Sequence, residues 1–141
     1  MSQARRKKLA APFVAPFQIW KQLEREGAIC DVTPGSFLFR RGEASKGVFV
    51  VLEGRVALSA GEDPTRIVRI AEKGSLLGLP ATVSGKRYSL TAEVVAESRL
   101  ALLTPARFRE LLRDNPMLGP TVVQMLAEEV SAVRKLAVYK C

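Results

Sequence analysis

Apolar positions along the chain fall into three zones of different period. Over residues 16–27, Phe17, Trp20 and Leu23 recur at i, i+3 and i+6. This spacing predicts one face of a short helix, which Pro16 can start and Gly27 can end. From residue 28 to 104 the period shortens. Ala28–Val32, Ser36–Arg40, Val48–Leu52, Arg55–Ala60, Arg66–Ala71, Tyr88–Val95 and Arg99–Leu103 read as short strands punctuated by Gly and Pro. Such a succession predicts a sandwich, jelly roll or barrel. Glu53-Gly54, between two alternating runs, predicts a tight hairpin turn, and Gly61-Glu62-Asp63-Pro64-Thr65 a longer hairpin connection. Residues 105–139 return to a helical period. Pro105 opens a first piece, Ala106 to Arg113; Asn115-Pro116 breaks it, and a longer helix follows to about Val138.

That last helix carries a seam. Val123, Leu126, Val130, Val133 and Ala137 are spaced 3, 4, 3 and 4 residues apart, while Val122, Met125 and Leu136 widen the apolar face. Glu128, Glu129, Arg134 and Lys135 are assigned to the remaining, polar face. Two explanations stand side by side. Either the whole face packs on the chain's own β core, or one side does so while the seam pairs with a second copy across a two-fold axis.

Composition narrows the chemistry. The 141 residues suit one domain with a substantial core. There is no His, which excludes Ser-His-Asp and Cys-His nucleophiles, His-ligated zinc and cupin-like metal chemistry. Cys30 and Cys141 are too few for a four-thiolate site and do not look like a disulfide framework, so a reducing cytoplasm is expected. Carboxylates such as Glu43, Glu53, Glu62, Asp63 and Glu72 fall in turns and at strand ends. No catalysis, metal or cofactor is expected from these residues.

The net charge is +8, but Arg5, Arg6, Lys7 and Lys8 supply half of it. Without them 18 basic residues face 14 acidic ones, so the remainder is only mildly basic. Residues 1–15 are expected to form a basic tail, residues 16–104 the N-terminal helix and β-roll, and residues 105–141 the C-terminal helices. The apolar stretch after the basic cluster is short and carries Pro12 and Pro16, which argues against a signal peptide. No apolar run reaches the 18 residues of a membrane span.

The most informative stretch is Gly35-Ser36-Phe37-Leu38-Phe39-Arg40-Arg41-Gly42-Glu43, followed by Gly47-Val48-Phe49-Val50-Val51-Leu52-Glu53-Gly54-Arg55-Val56. It places a glycine wherever a β chain must reverse. On physical grounds alone this is a β-roll with no ligand. Gly35-x-x-Leu38-Phe39-x-x-Gly42, then Val48-x-Val50-x-x-x-Gly54-x-Val56, Gly74-Ser75-Leu76-Leu77-Gly78, Thr91-Ala92 and Leu100–Leu103 together resemble the cyclic-nucleotide-binding domain. Their order over residues 17–138 is similar to the sensor half of catabolite-activator-type bacterial regulators. The resemblance implies a mainly β fold with flanking helices: a jelly-roll β-roll (double-stranded β-helix) with an N-terminal helix and a long C-terminal dimerisation helix.

It also implies a phosphate-binding cassette between Gly78 and Thr91. In the family a Glu there accepts a ribose hydroxyl, and an Arg neutralises the cyclic phosphate beside the start of a short helix. Here Gly78, Thr91 and Ala92 match, but Leu79 stands at the Glu position and Leu90 at the Arg position. Losing both charged groups should eliminate tight cAMP binding. Lys86 and Arg87 lie nearby, either as loop charges or as substitute phosphate contacts. Leu79, Pro80, Ala81 and Leu90 are expected to surround either a hole for an apolar effector or a pocket filled by side chains.

Regulators of this type carry a helix-turn-helix after the long helix, whereas this sequence ends at Cys141. The expectation is therefore a stand-alone, cytoplasmic sensor module. It would form a homodimer through its C-terminal helix, answer to an unidentified effector or protein partner, and bind no DNA sequence specifically. The alternative is a ligand-free dimeric scaffold.

Overall fold

The computed structural model describes the backbone of residues 17–60 and 66–138, and the side chains of residues 19–60 and 66–129. The expected tail over residues 1–15, the loop 61–65 and Cys141 lie outside the described residues. In chain order the elements are α1 (Phe17–Glu26), β1 (Ala28–Val32), β2 (Phe37–Phe39), β3 (Val48–Glu53), β4 (Val56–Ser59), β5 (Ile67–Ala71), β6 (Leu76–Leu77), α2 (Leu79–Ser84), β7 (Thr91–Val94), β8 (Ser98–Leu103), α3 (Pro105–Asp114) and α4 (Leu118–Val138).

Two four-stranded antiparallel sheets form, ordered β1-β8-β3-β6 and β2-β7-β4-β5. The pairings β4–β5, β3–β6, β2–β7 and β1–β8 are nested one inside the next. This is the jelly-roll arrangement that the strand pattern and the resemblance predict. The register places Ala28 opposite Leu102, Val50 opposite Ala101 and Leu58 opposite Ala92.

One expected turn is different. Glu53-Gly54 does not close a hairpin, because β3 and β4 belong to opposite sheets. At Gly54 the chain crosses from one layer to the other with φ +103. A Cβ there would lie 2.0 Å from Ser98 Oγ, which itself accepts the Arg55 N–H at 3.2 Å. The glycine is thus demanded by the crossing and the close approach of β8. The longer connection does join a hairpin, since β4 and β5 pair from Val56↔Ala71 to Ser59↔Ile67.

Two cores follow from the layering. Phe49, Val51, Leu77 and Leu100 of one sheet meet Leu38, Phe39, Val56, Leu58, Ala92 and Val94 of the other. On the outer face of the first sheet, Val48, Val50, Leu52, Ala101 and Leu103 pack under Ile19 and Leu23 of α1, Phe108 and Leu111 of α3, and Val122 and Met125 of α4. β3 faces both cores, which is why its sequence is continuously apolar rather than alternating. Each fully buried Val or Leu contributes about 1.5–3 kcal/mol of transfer free energy. Pro105 opens α3 as expected, helped by Thr104, whose hydroxyl accepts the Arg107 N–H at 3.3 Å.

Candidate functional site

The second core ends in a cleft where β6 leaves the roll. Gly78 turns the chain with φ +81 and starts α2. A Cβ on it would meet the Tyr88 ring at 2.8 Å and the Gly47 carbonyl at 3.0 Å. Two contacts tie this turn to the loop before β3. Thr82 Oγ1 donates to the Gly78 carbonyl and lies 2.8 Å from Ser45 Oγ. Buried Tyr88 accepts the Lys46 and Gly47 N–H groups at 2.7 and 3.2 Å and donates to the Gly47 carbonyl at 2.9 Å. Its ring stacks on Phe39 with centroids 3.8 Å apart. Gly85 ends α2 in the left-handed region, its N–H donating to the Ala81 carbonyl.

The cleft is lined by Phe39, Leu58, Leu77, Pro80, Tyr88 and Leu90, with Gly78, Ala81 and Ser89 beside them. Its cavity volume is about 30 Å³, against the several hundred that small-molecule sites usually offer. Pro80 in the first turn of α2 removes one of the N–H donors that an anion at this turn would use.

The residues expected here divide. Gly78, Pro80, Ala81 and Leu90 border the cleft. Leu79 does not: it is fully buried in the other core, the cluster that also holds Leu76, Val122 and Met125. Its apolar side chain follows the core and leaves the cleft, which corrects the expectation that it lines the hole. Thr91 accepts the Arg41 N–H at 2.9 Å, and Ala92 is buried between the sheets. Arg87 is exposed and donates to the Gly42 carbonyl at 2.8 Å, and Lys86 is exposed too. Neither borders the cleft.

Two further residues of the cleft are charged. Arg69 on β5 donates from Nη2 to Glu129 Oε1 on α4 at 3.1 Å. Their side chains are only 5% and 10% exposed. This corrects the assignment of Glu129 to the polar face of the helix. Val122, Met125 and Glu129, spaced 3 and 4 apart, form the inward stripe. Burial pushes the Glu129 carboxyl above its usual range, and the attraction of Arg69 only partly offsets this. A local signal for Arg69 was present: it shares the inward phase of β5 with Ala71. The partnership itself spans 60 residues and leaves no local pattern.

Of the expected seam, Val123 is 65% exposed and Leu126 is half-buried against the helical core. The side chains of Val130, Val133 and Ala137 lie outside the described residues. Among the described residues no cluster of three or more His, Cys, Asp or Glu could hold a metal, and no helix is long and apolar enough to cross a membrane.

Residues 29–115 match the family model described as the cyclic nucleotide-binding domain. A putative potassium channel protein of Rhodopseudomonas palustris is 30% identical over 93 residues, 65% of this chain and 22% of the channel. The chain thus spans about a fifth of that relative. The Thermus thermophilus catabolite activator protein superposes with a TM-score of 0.75 at 18% identity, over 89% of this chain and 60% of that one. A protein of a cyclic-GMP-dependent signalling pathway that regulates bacterial phytopathogenesis gives 0.72 at 24% identity, over 86% and 96%.

Proposed function

Because the chain belongs to the cyclic nucleotide-binding domain family, we propose that it is a regulatory module of that family that has given up tight cAMP binding. The observation that carries this reading is the cassette. Leu79 turns into the core, Leu90 faces a cleft of about 30 Å³, and Lys86 and Arg87 stay outside it. A buried cyclic phosphate that loses one charged hydrogen-bond partner loses roughly 2–5 kcal/mol of binding. Isothermal titration with cAMP is expected to show no binding, or only binding weaker than the micromolar range. A micromolar or tighter dissociation constant would overturn the proposal.

The apolar walls of the cleft favour an effector with an apolar or aromatic body. Its entry would bias α3 and α4, which pack on the same roll. The output would pass through a homodimer in which Val123, Leu126, Val130, Val133 and Ala137 meet their copies, a reading that the exposure of Val123 supports. The small cavity also favours a second reading, a dimeric scaffold with a filled pocket. Thermal melts separate the two: an effector at a hundred times its dissociation constant adds about 2.7 kcal/mol of stability, whereas a scaffold shows no shift with any small molecule.

A further inference from the structure

Among the described residues, the only charged side chains bordering the cleft are Arg69 and Glu129, and their contact is half made. Glu129 Oε1 takes one N–H from Arg69 Nη2. Arg69 Nε and Glu129 Oε2 are buried and find no hydrogen-bond partner among the described residues. Nε and Nη2 form the side of a guanidinium that normally grips an oxyanion with two parallel bonds. Here that fork holds one oxygen where it is built for two. A buried donor or acceptor left unpaired is costly, so the arrangement stores a penalty that a better-fitting acceptor would relieve.

We propose that Arg69 anchors an oxyanion site, that Glu129 is its built-in occupant, and that an incoming carboxylate or phosphate on a flat apolar body displaces Glu129 and loosens α4 from the roll. The exchange satisfies both orphaned groups at once. The ligand oxyanion accepts from Nε and Nη2 of Arg69, while the Glu129 carboxylate swings out to water. The charge on Arg69 stays compensated throughout. The stacked rings of Phe39 and Tyr88, with Leu58, Leu77 and Leu90, provide the apolar surface for the ligand body. The glutamate's departure also vacates space in a cavity otherwise too small for such a body. Val122 and Met125 hold α4 to the helical core two turns and one turn before Glu129, respectively. Loss of the ion pair therefore loosens the turn of α4 that carries Glu129 while its start stays docked at Val122 and Met125. Burial already favours the neutral form of Glu129, which weakens its hold on Arg69.

This inference rests on the effector-binding reading above, and one titration separates their failures. The full chain, Glu129→Gln and Arg69→Met are titrated with benzoate, phenyl phosphate and neutral benzamide by ligand-observed NMR. Amide hydrogen exchange of residues 122–129 is followed in parallel. Should Arg69→Met fail to fold, Arg69→Met/Glu129→Leu replaces the ion pair with apolar groups and keeps the anchor testable. At least one of the two anions is expected to bind Glu129→Gln about tenfold or more tighter than the native chain, because removing the internal competitor raises the competent fraction. It should fail to bind either Arg69 variant, and it should speed exchange in the second half of the 122–129 segment. Benzamide should show no such dependence on Arg69. The preference between benzoate and phenyl phosphate identifies which oxyanion fits. Equal anion affinity in the native chain and Glu129→Gln overturns the inference. Benzamide binding as tightly as the better-bound of the two anions also overturns it, with the effector-binding reading left standing. No binding of any probe to any folded variant removes both.

Discussion

Replacing Tyr88 with Phe tests how the cleft is held open at its floor. The ring stays, so its stacking on Phe39 and its contact with Gly78 are kept. Only the hydroxyl goes, and with it three hydrogen bonds to one short backbone segment. The Lys46 N–H lies in an exposed residue and can turn to water. The Gly47 N–H keeps a 3.1 Å contact to Ser45 Oγ. The Gly47 carbonyl loses the Tyr88 donor in a buried position. One buried acceptor left unsatisfied costs about 1–3 kcal/mol. A chain of 141 residues has an unfolding entropy of about 0.3 kcal/mol per kelvin at its midpoint, so the melting temperature should fall by about 3–10 °C. Differential scanning calorimetry measures this directly. A fall of less than about 2 °C would refute the reasoning, since it would mean that the hydroxyl is readily replaced and the segment 45–47 does not hang from it.

Gly47→Ala should be far harsher than Gly85→Ala. At Gly47, φ is +130 and a Cβ would lie 2.0 Å from the Leu103 carbonyl oxygen, so a loss of about 3 kcal/mol or more is expected in urea unfolding. At Gly85 nothing lies within 4 Å, leaving only the left-handed cost of about 1–2 kcal/mol; equal losses would contradict this account. The Glu129 carboxyl titrates above its ordinary 4.5 in the fold, so the native state there binds more protons than the unfolded chain. The stability it contributes is full below that ordinary value and is lost as pH rises through the raised one. Relative to Glu129→Gln, the native chain should therefore weaken as pH rises across that window, and a relative gain would reverse the sign. Val123→Glu places a charge on an exposed position of the seam. Analytical ultracentrifugation is expected to show dimer converting to monomer, and an unchanged dimer would move the interface elsewhere.

The strand pattern carried most of the fold because burial and turn chemistry are local. Among the described residues, seven of the eight strands fall on runs marked by their own apolar residues, with β3 and β8 each reaching one residue beyond. β6 is two residues long, Leu76–Leu77, too short to show a period. The Glu53-Gly54 turn was misread for a physical reason: a glycine between two apolar runs looks the same whether the next strand pairs with the last or crosses to the facing sheet. The cassette was legible in its glycines and in what Leu79 and Leu90 lack. The direction in which Leu79 points was not, because it depends on a core shared with α4. The Arg69–Glu129 pair was also hidden. Each residue alone reads as a charged position, and only the closure of the roll brings them to 3.1 Å.

The nested strand pairs carry a kinetic consequence. The pairing that brings Ala28 against Leu102 encloses every other pairing in the roll. Formed first, it would have to close a loop of nearly the whole domain. Formed last, it closes only the short remainder left after the inner ladders have shortened the chain, and loop-closure entropy grows with the length still free. Folding is therefore expected to start at the β4–β5 hairpin and zip outward, with β1 docking late. High contact order makes such a roll slow to fold. It also makes the β4–β5 connection, the part of the molecule farthest from both chain ends in the pairing order, the place where a longer loop would delay everything that follows.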